Sequence, residues 1–195
     1  MAKLRRAVEI LAADDTPVVA ESGIYYSGER PLEPGETCFL YPGKGSQSVN
    51  MLRELVTSSP WSHDVFATLD GDFRREFGKP LTQFLYPPPA FTPDEQKAQQ
   101  KELNDTRVAQ PALGTVEAFA TQLLEKFGLV PGRTAGHSFG EYTALWAAGY
   151  LTLHDLLHLS MRRGQIAARA TRDVPGAMAA VASDGAAVAE ALRQI

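Results

Sequence analysis

The sequence predicts an α/β domain, on three observations. Thr37-Cys38-Phe39-Leu40-Tyr41 is a buried-strand pattern that runs directly into a glycine loop, Pro42-Gly43-Lys44-Gly45-Ser46-Gln47. A mostly helical stretch follows, to about residue 130. A second, short strand candidate then ends in Gly136-His137-Ser138-Phe139-Gly140, with a helix candidate behind it.

The elements can be justified in chain order. Leu4, Val8 and Leu11 at helical spacing predict a short helix over residues 3–13. Segment 16–36 carries the turn formers Pro17, Gly23, Gly28, Pro31, Pro34 and Gly35 around two β-like runs, Val18-Val19 and Ile24-Tyr25-Tyr26. It reads as a linker or irregular edge. After the glycine loop, Met51, Leu52, Leu55 and Val56 form one helical stripe, and Val65, Phe66, Leu69, Phe73 and Phe77 a second. Prolines break the pattern over residues 86–92. The next helix is expected from Pro111, in its first turn, to Phe127, with Gly128 ending it. A turn and a short strand occupy Leu129 to Gly136, and a helix is expected over Ser138 to Ala148. Thr152 is a suitable N-cap for a helix reaching about Ala170. A strand over Gly176–Ala182 and a helix from Gly185 to Ile195 close the chain, which reads as truncated in the middle of a β-α unit.

Bulk properties narrow the function. At 195 residues, 44% hydrophobic and 22% charged, the chain can bury one sizeable core. The net charge of −4 is spread over intermixed acids and bases, which argues against a nucleic-acid surface. No run approaches the roughly 18 apolar residues of a membrane helix. The N-terminal MAKLRRAVEILAADD lacks the apolar core of a signal peptide. The single Cys38 excludes an internal disulfide and fits a reducing cytoplasm.

The chemistry points to Ser138. A sharp strand-to-helix turn pushes the serine hydroxyl outward, and small residues at Gly136 and Gly140 let the backbone close around it. The following helix aims N–H groups and its positive end at any oxyanion formed there. Without that setting, the same five residues fit a glycine-flanked turn whose serine only caps a helix. His137 is a poor base for Ser138, because neighbours across such a turn point apart.

Gly136-His137-Ser138-Phe139-Gly140-Glu141, preceded by Phe39-Leu40-Tyr41-Pro42-Gly43-Lys44-Gly45-Ser46-Gln47, resembles the malonyl-CoA:acyl-carrier-protein transacylase family. Tyr86-Pro87-Pro88-Pro89-Ala90-Phe91 and Asp105-Thr106-Arg107-Val108-Ala109-Gln110-Pro111-Ala112-Leu113 are similar to acyltransferase domains of iterative polyketide or polyunsaturated-fatty-acid synthases. The resemblance implies an α/β-hydrolase-like large subdomain over 37–173 and the first strand and helix of an inserted ferredoxin-like subdomain over 174–195. Residues 1–36 would be the end of a ketosynthase-to-acyltransferase linker.

The activity implied is transfer of a malonyl unit from malonyl-CoA to an acyl carrier protein thiol through a seryl ester on Ser138. The oxyanion donors would be the backbone N–H groups of Phe139 and Lys44. Gly43, Gly45, Gln47, Gln110, Gly136, His137, Gly140 and Glu141 would support the site. The family usually has Gln where Lys44 stands; a backbone donor survives that change, and the side-chain support is in doubt. Partners would be the carrier protein, which brings its own phosphopantetheine, and an adjacent ketosynthase. No bound cofactor and no metal is expected.

Arg163 has an independent argument. On the helix after Thr152 it is expected to share a face with Leu156, Leu159 and Ala167, opposite His154. A guanidinium on an apolar face must find an anion, and its fork suits a carboxylate such as the free end of a malonyl group. From the residues alone a structural salt bridge fits equally well; the family's carboxylate-binding arginine sits in a matching Arg-Gly pair, here Arg163-Gly164. His154 and His158, at i, i+4, read as a solvated face in the absence of a third ligand. The base expected from the family, a histidine well beyond the nucleophile, is absent from this chain. The competing readings are an esterase or thioesterase, since G-x-S-x-G serves both, and a non-catalytic synthase module.

Overall fold

The computed structural model describes residues 2–12, 18–21, 24–27, 35–173 and 181–194. Helix α1 (Ala2–Leu11) is followed by a hairpin of β1 (Val18–Glu21) and β2 (Ile24–Ser27), so the two β-like runs pair antiparallel with each other. Strand β3 (Cys38–Tyr41) leads through the glycine loop into six helices: α2 (Arg53–Ser58), α3 (Ser62–Ala67), α4 (Asp70–Phe77), α5 (Leu81–Leu85), α6 (Pro93–Leu103) and α7 (Thr106–Lys126). Then come β4 (Arg133–Gly136), α8 (Gly140–Ala147), α9 (Leu153–Asp173) and α10 (Gly185–Leu192).

Strands β3 and β4 pair in parallel, Tyr41 opposite Gly136, so the ends of both strands arrive at one place. The core lies beneath the sheet, between α7 and α9 and the short helices. Val65, Phe66, Leu69, Phe73, Leu81 and Leu85 from one side meet Val108, Phe119, Leu156 and Leu157 from the other. Two polar ties fix the sheet to the helices, and a third joins α7 to α8. The Tyr41 and Thr121 hydroxyls lie 2.9 Å apart, the Thr134 hydroxyl donates to the Ala144 carbonyl at 2.9 Å, and the Thr143 hydroxyl donates to the Glu117 carboxylate.

Several expectations need correction. Strand β3 is not buried on both faces: α7 and α8 cover only the face of Phe39 and Tyr41, leaving Cys38 and Leu40 exposed. Helix α7 begins at Thr106 rather than Pro111. The Asp105 carboxylate accepts the Arg107 N–H at 2.9 Å and starts the helix five residues earlier, and the helix carries Pro111 in its interior at the cost of one backbone bond. Packing of Val108 and Ala109, both buried, favours that early start. The stripe at residues 51–56 is only half formed, because Asn50 and Leu52 take positive φ (65° and 54°) and unwind the approach to α2. Met51 and Val56 still pack on the core, while Leu52 and Leu55 are exposed.

The helix expected from Ser138 starts two residues later, since Ser138 itself is left-handed. On α9 the buried stripe is Leu156, Leu157, Ser160, Met161 and Gly164; Leu159 faces solvent. The N-cap at Thr152 holds: its hydroxyl accepts the Asp155 N–H at 3.1 Å, and the Asp155 carboxylate accepts back from Thr152. Gly128 ends α7 with φ 82°. The expected strand at Gly176–Ala182 and the boundary near Val174 fall largely outside the described residues, and Val181-Ala182 are not in a strand.

Candidate active site

The site is built first from backbone. Strand β4 ends at Gly136, the His137 N–H donates to the Tyr41 carbonyl at 3.0 Å, and Ser138 turns the chain with φ 55°. A non-glycine residue there is strained, and the neighbours over-determine it. A Cβ at Gly136 would overlap Gly140, and one at Gly140 would overlap the Tyr41 carbonyl. The glycine loop presses on the same point: a Cβ at Gly43 would stand 2.6 Å from the His137 carbonyl oxygen and 2.9 Å from the Ser138 Cβ. Only glycine permits this approach.

The turn leaves Ser138 exposed, and among the described residues its hydroxyl makes no hydrogen bond. The backbone N–H groups of Phe139 and Lys44 likewise donate to nothing among the described residues. One lies directly after the serine, the other directly after the glycine that touches it. Two free donors beside an exposed hydroxyl are what an oxyanion hole requires. Gln47 braces the loop: its Oε1 accepts the Gly45 N–H at 2.8 Å and its Nε2 donates to Asn104 Oδ1 at 2.8 Å. Gln100 reinforces this by donating to Asn104 Oδ1 at 2.9 Å. The Lys44 side chain is exposed and helps Arg107, the stronger influence, to hold the Asp105 carboxyl below the usual range.

The second part of the site is built from side chains. Arg163 Nη1 donates to Gln110 Oε1 at 2.7 Å, and Gln110 Nε2 donates to Thr106 Oγ1 at 2.8 Å. The Tyr142 ring lies 5.6 Å from the guanidinium carbon and stacks on the buried Phe139 ring at 6.1 Å. Phe139 therefore links the two parts: its amide borders Ser138, and its ring sits under the residue that flanks Arg163. Gly164 makes the geometry possible, because a Cβ there would come 2.6 Å from the Thr106 carbonyl. Arg163 thus lies on the flank of the buried stripe of α9, beside a neutral partner.

The remaining candidates contribute less through their side chains. His137 and Glu141 are exposed and serve the turn through backbone, the His137 carbonyl accepting the Gly140 N–H at 3.0 Å and the Glu141 N–H donating to the Ser138 carbonyl at 3.4 Å. The His154 and His158 rings lie 4.1 Å apart at a tilt; His154 is exposed as its spacing implied, while His158 is half-buried and faces Asp72 at 3.9 Å. Asn104 and Tyr142 are not legible as site residues in the sequence because they act through contacts between separate elements, and Thr106 is not because it precedes the helix expected from Pro111. Tyr142 carried a partial signal, one helical turn after Ser138. Glu117 was also missed: burial pushes its carboxyl up to about 7, partly opposed by the bond from Thr143.

The chain is similar to known proteins over most of its length. Residues 38–195 match the family described as acyl transferase domain. The chain is 34% identical over 157 residues to the malonyl CoA-acyl carrier protein transacylase of Bacillus subtilis (strain 168), covering 80% of this chain and 44% of that one. It is 34% identical over 149 residues to a phenolphthiocerol synthesis polyketide synthase type I of Mycobacterium marinum, covering 76% of this chain and 6% of the synthase. Among solved structures it is similar to a malonyl-transacylase in complex with its type II polyketide acyl-carrier protein. There the TM-score is 0.56 with 29% identity, over 71% of this chain and 40% of that one. The chain therefore spans less than half the length of these relatives.

Proposed function

The chain belongs to the acyl transferase family, and on that premise we propose that it supplies the nucleophile, oxyanion donors and carboxylate clamp for moving a malonyl unit from coenzyme A to an acyl carrier protein. Ser138 Oγ attacks the thioester carbonyl, and its proton passes to a general base. Among the described residues none of the His63, His137, His154 and His158 side chains hydrogen-bonds the Ser138 hydroxyl, and we assign the base role to none of them. The oxyanion is held by the Phe139 and Lys44 amides, and the coenzyme A thiolate leaves with a proton returned by the base. The phosphopantetheine thiol of the carrier protein then attacks the seryl ester and regenerates Ser138. The chemistry calls for no resident cofactor. We read the finer architecture as an α/β-hydrolase-like subdomain with a ferredoxin-like insertion beginning near Val174. We further propose a ketosynthase neighbour and a cytoplasmic setting.

The observation that carries this reading is the strained, exposed Ser138 with the Gly43 loop against it and two unspent amides beside it. A hydrolase acting on neutral esters would leave the Arg163 charge without a use. The test is mass spectrometry after exposure to malonyl-CoA. The peptide bearing Ser138 should gain one malonyl group, and Ser138→Ala should gain none. Malonylation of the alanine variant would sink the assignment.

A further inference from the structure

Arg163 is held by a neutral group. Its hydrogen-bond partner is the Gln110 amide oxygen, and among the described residues it forms no ion pair. The amide is locked with its oxygen forward, because its nitrogen is spent on the Thr106 hydroxyl one turn earlier on α7. Gln110 is only 2% exposed, so water does not compete for either bond. The contact of Gly164 with the Thr106 carbonyl fixes the spacing between the turn carrying the lock and the helix carrying Arg163.

The choice of an amide has a chemical consequence. A carboxylate partner would fix the guanidinium equally well and would also neutralise it. The amide oxygen takes one N–H and leaves the full positive charge and the other donors for a second group. The Tyr142 ring flanks the cation without neutralising it.

We propose that Gln110, oriented by Thr106, is a positioning residue that keeps Arg163 fixed in place yet unpaired, and so sets the preference of the site for acyl groups ending in a carboxylate over neutral ones. This rests on Arg163 being the carboxylate clamp. Gln110→Glu puts an internal carboxylate on the fork and should spend it. Thr106→Val removes the lock, frees the amide to turn its NH2 toward the guanidinium, and should misplace it.

The experiment measures binding of malonyl-CoA and acetyl-CoA to the protein by calorimetry, with melting temperature recorded for each variant. Arg163→Ala should weaken malonyl-CoA at least tenfold and acetyl-CoA less than threefold. Gln110→Glu should reproduce that signature, and Thr106→Val should lower the malonyl-to-acetyl ratio by about threefold to tenfold. If Arg163→Ala collapses the ratio while Gln110→Glu and Thr106→Val leave it within twofold of the parent, the positioning role is wrong and the clamp reading stands. If Arg163→Ala leaves the ratio unchanged, the clamp reading falls and this proposal with it. Equal losses for both ligands in Gln110→Glu mark a merely structural role and overturn the proposal. Should that variant fail to fold, Thr106→Val decides alone.

Discussion

The Ser138 elbow and the Arg163 clamp solve the same problem, holding one functional group in place, by opposite means. At the elbow the backbone does the holding: a left-handed serine, close approaches at Gly43, Gly136 and Gly140, and, among the described residues, no hydrogen bond to the hydroxyl. At the clamp side chains from α7, α8 and α9 converge on one guanidinium, with Gln110 bonding it, Thr106 behind Gln110, and Tyr142 beside it. A backbone device leaves its group fully available for chemistry but tolerates almost no added atom. A side-chain device can be retuned by single substitutions without disturbing the fold. The two regions should therefore fail differently.

The largest expected effect is at the clamp. Removing Arg163 deletes a charge-assisted pair with the substrate carboxylate, for which a loss of roughly 2–5 kcal/mol in malonyl binding is reasonable in a desolvated site. Because Arg163 is only part-buried and its partner is neutral, Arg163→Ala should shift chemical-denaturation stability by no more than about 1 kcal/mol. Single-turnover acylation of Ser138 by acetyl-CoA should persist. A variant that lost acetyl and malonyl transfer together would show that elbow and clamp are one structural unit after all.

How much of each device could be read from the sequence follows from how it is built. The elbow is contiguous, so the residues around Ser138 announced it, and Gly136 and Gly140 gave the packing reason. What remained hidden was Gly43 lying against the His137 carbonyl, a contact between segments far apart in the chain. For the clamp, the sequence shows Arg163 as a cation on a partly apolar helix, yet the spacing places Leu159 on the covered face, where the structure has Ser160 instead. Its partners were less legible still. Gln110 stands out only through resemblance, and a helix beginning at Pro111 leaves Thr106 outside it, with no link to Gln110. That local rule for proline lost to the Asp105 cap and the burial of Val108 and Ala109, which are tertiary effects. The predominantly helical stretch before β4 and the second aromatic stripe were legible because their periodicity is strong, even though the structure divides the stripe between α3 and α4.

A second prediction tests the tie behind both regions, Glu117 to Thr143, which joins α7 to α8. Burial raises the Glu117 carboxyl from 4.5 to about 7, so the folded protein holds a proton there that the unfolded chain releases. The folded state then binds more protons between those values, and stability must fall as pH rises across that window. Above it the ionised, buried carboxylate costs about 3 kcal/mol relative to acid conditions, an order-of-magnitude figure. Glu117→Gln keeps a hydrogen-bonding group toward Thr143 and cannot ionise. Urea unfolding of the parent at pH 5 and pH 8 should show the decline, and the glutamine variant should be nearly flat. The same slope in both proteins would place the titration elsewhere.

The smallest effect isolates backbone strain, the currency of the elbow. Leu52 takes φ 54° and Ser138 φ 55°, nearly the same positive φ, yet only one of them presents a functional group. A comparison of glycine with alanine at each position removes the side chain in both variants and leaves the backbone preference. At an ordinary helix or strand position glycine is the less stable by about 0.5–1 kcal/mol, through its greater loss of chain entropy. In the left-handed region an L-residue with a Cβ meets its following carbonyl at a cost of roughly 1–2 kcal/mol, which exceeds that entropy term. The order should therefore invert: Leu52→Gly more stable than Leu52→Ala, and Ser138→Gly more stable than Ser138→Ala, by about 1 kcal/mol each. Thermal or urea melts of the four variants measure it. Only the position 138 pair should lose acylation, because Leu52 takes no part in the site. Inversion at Leu52 but not at Ser138 would mean that the glycine contacts around the elbow, rather than the serine's own conformation, hold its geometry.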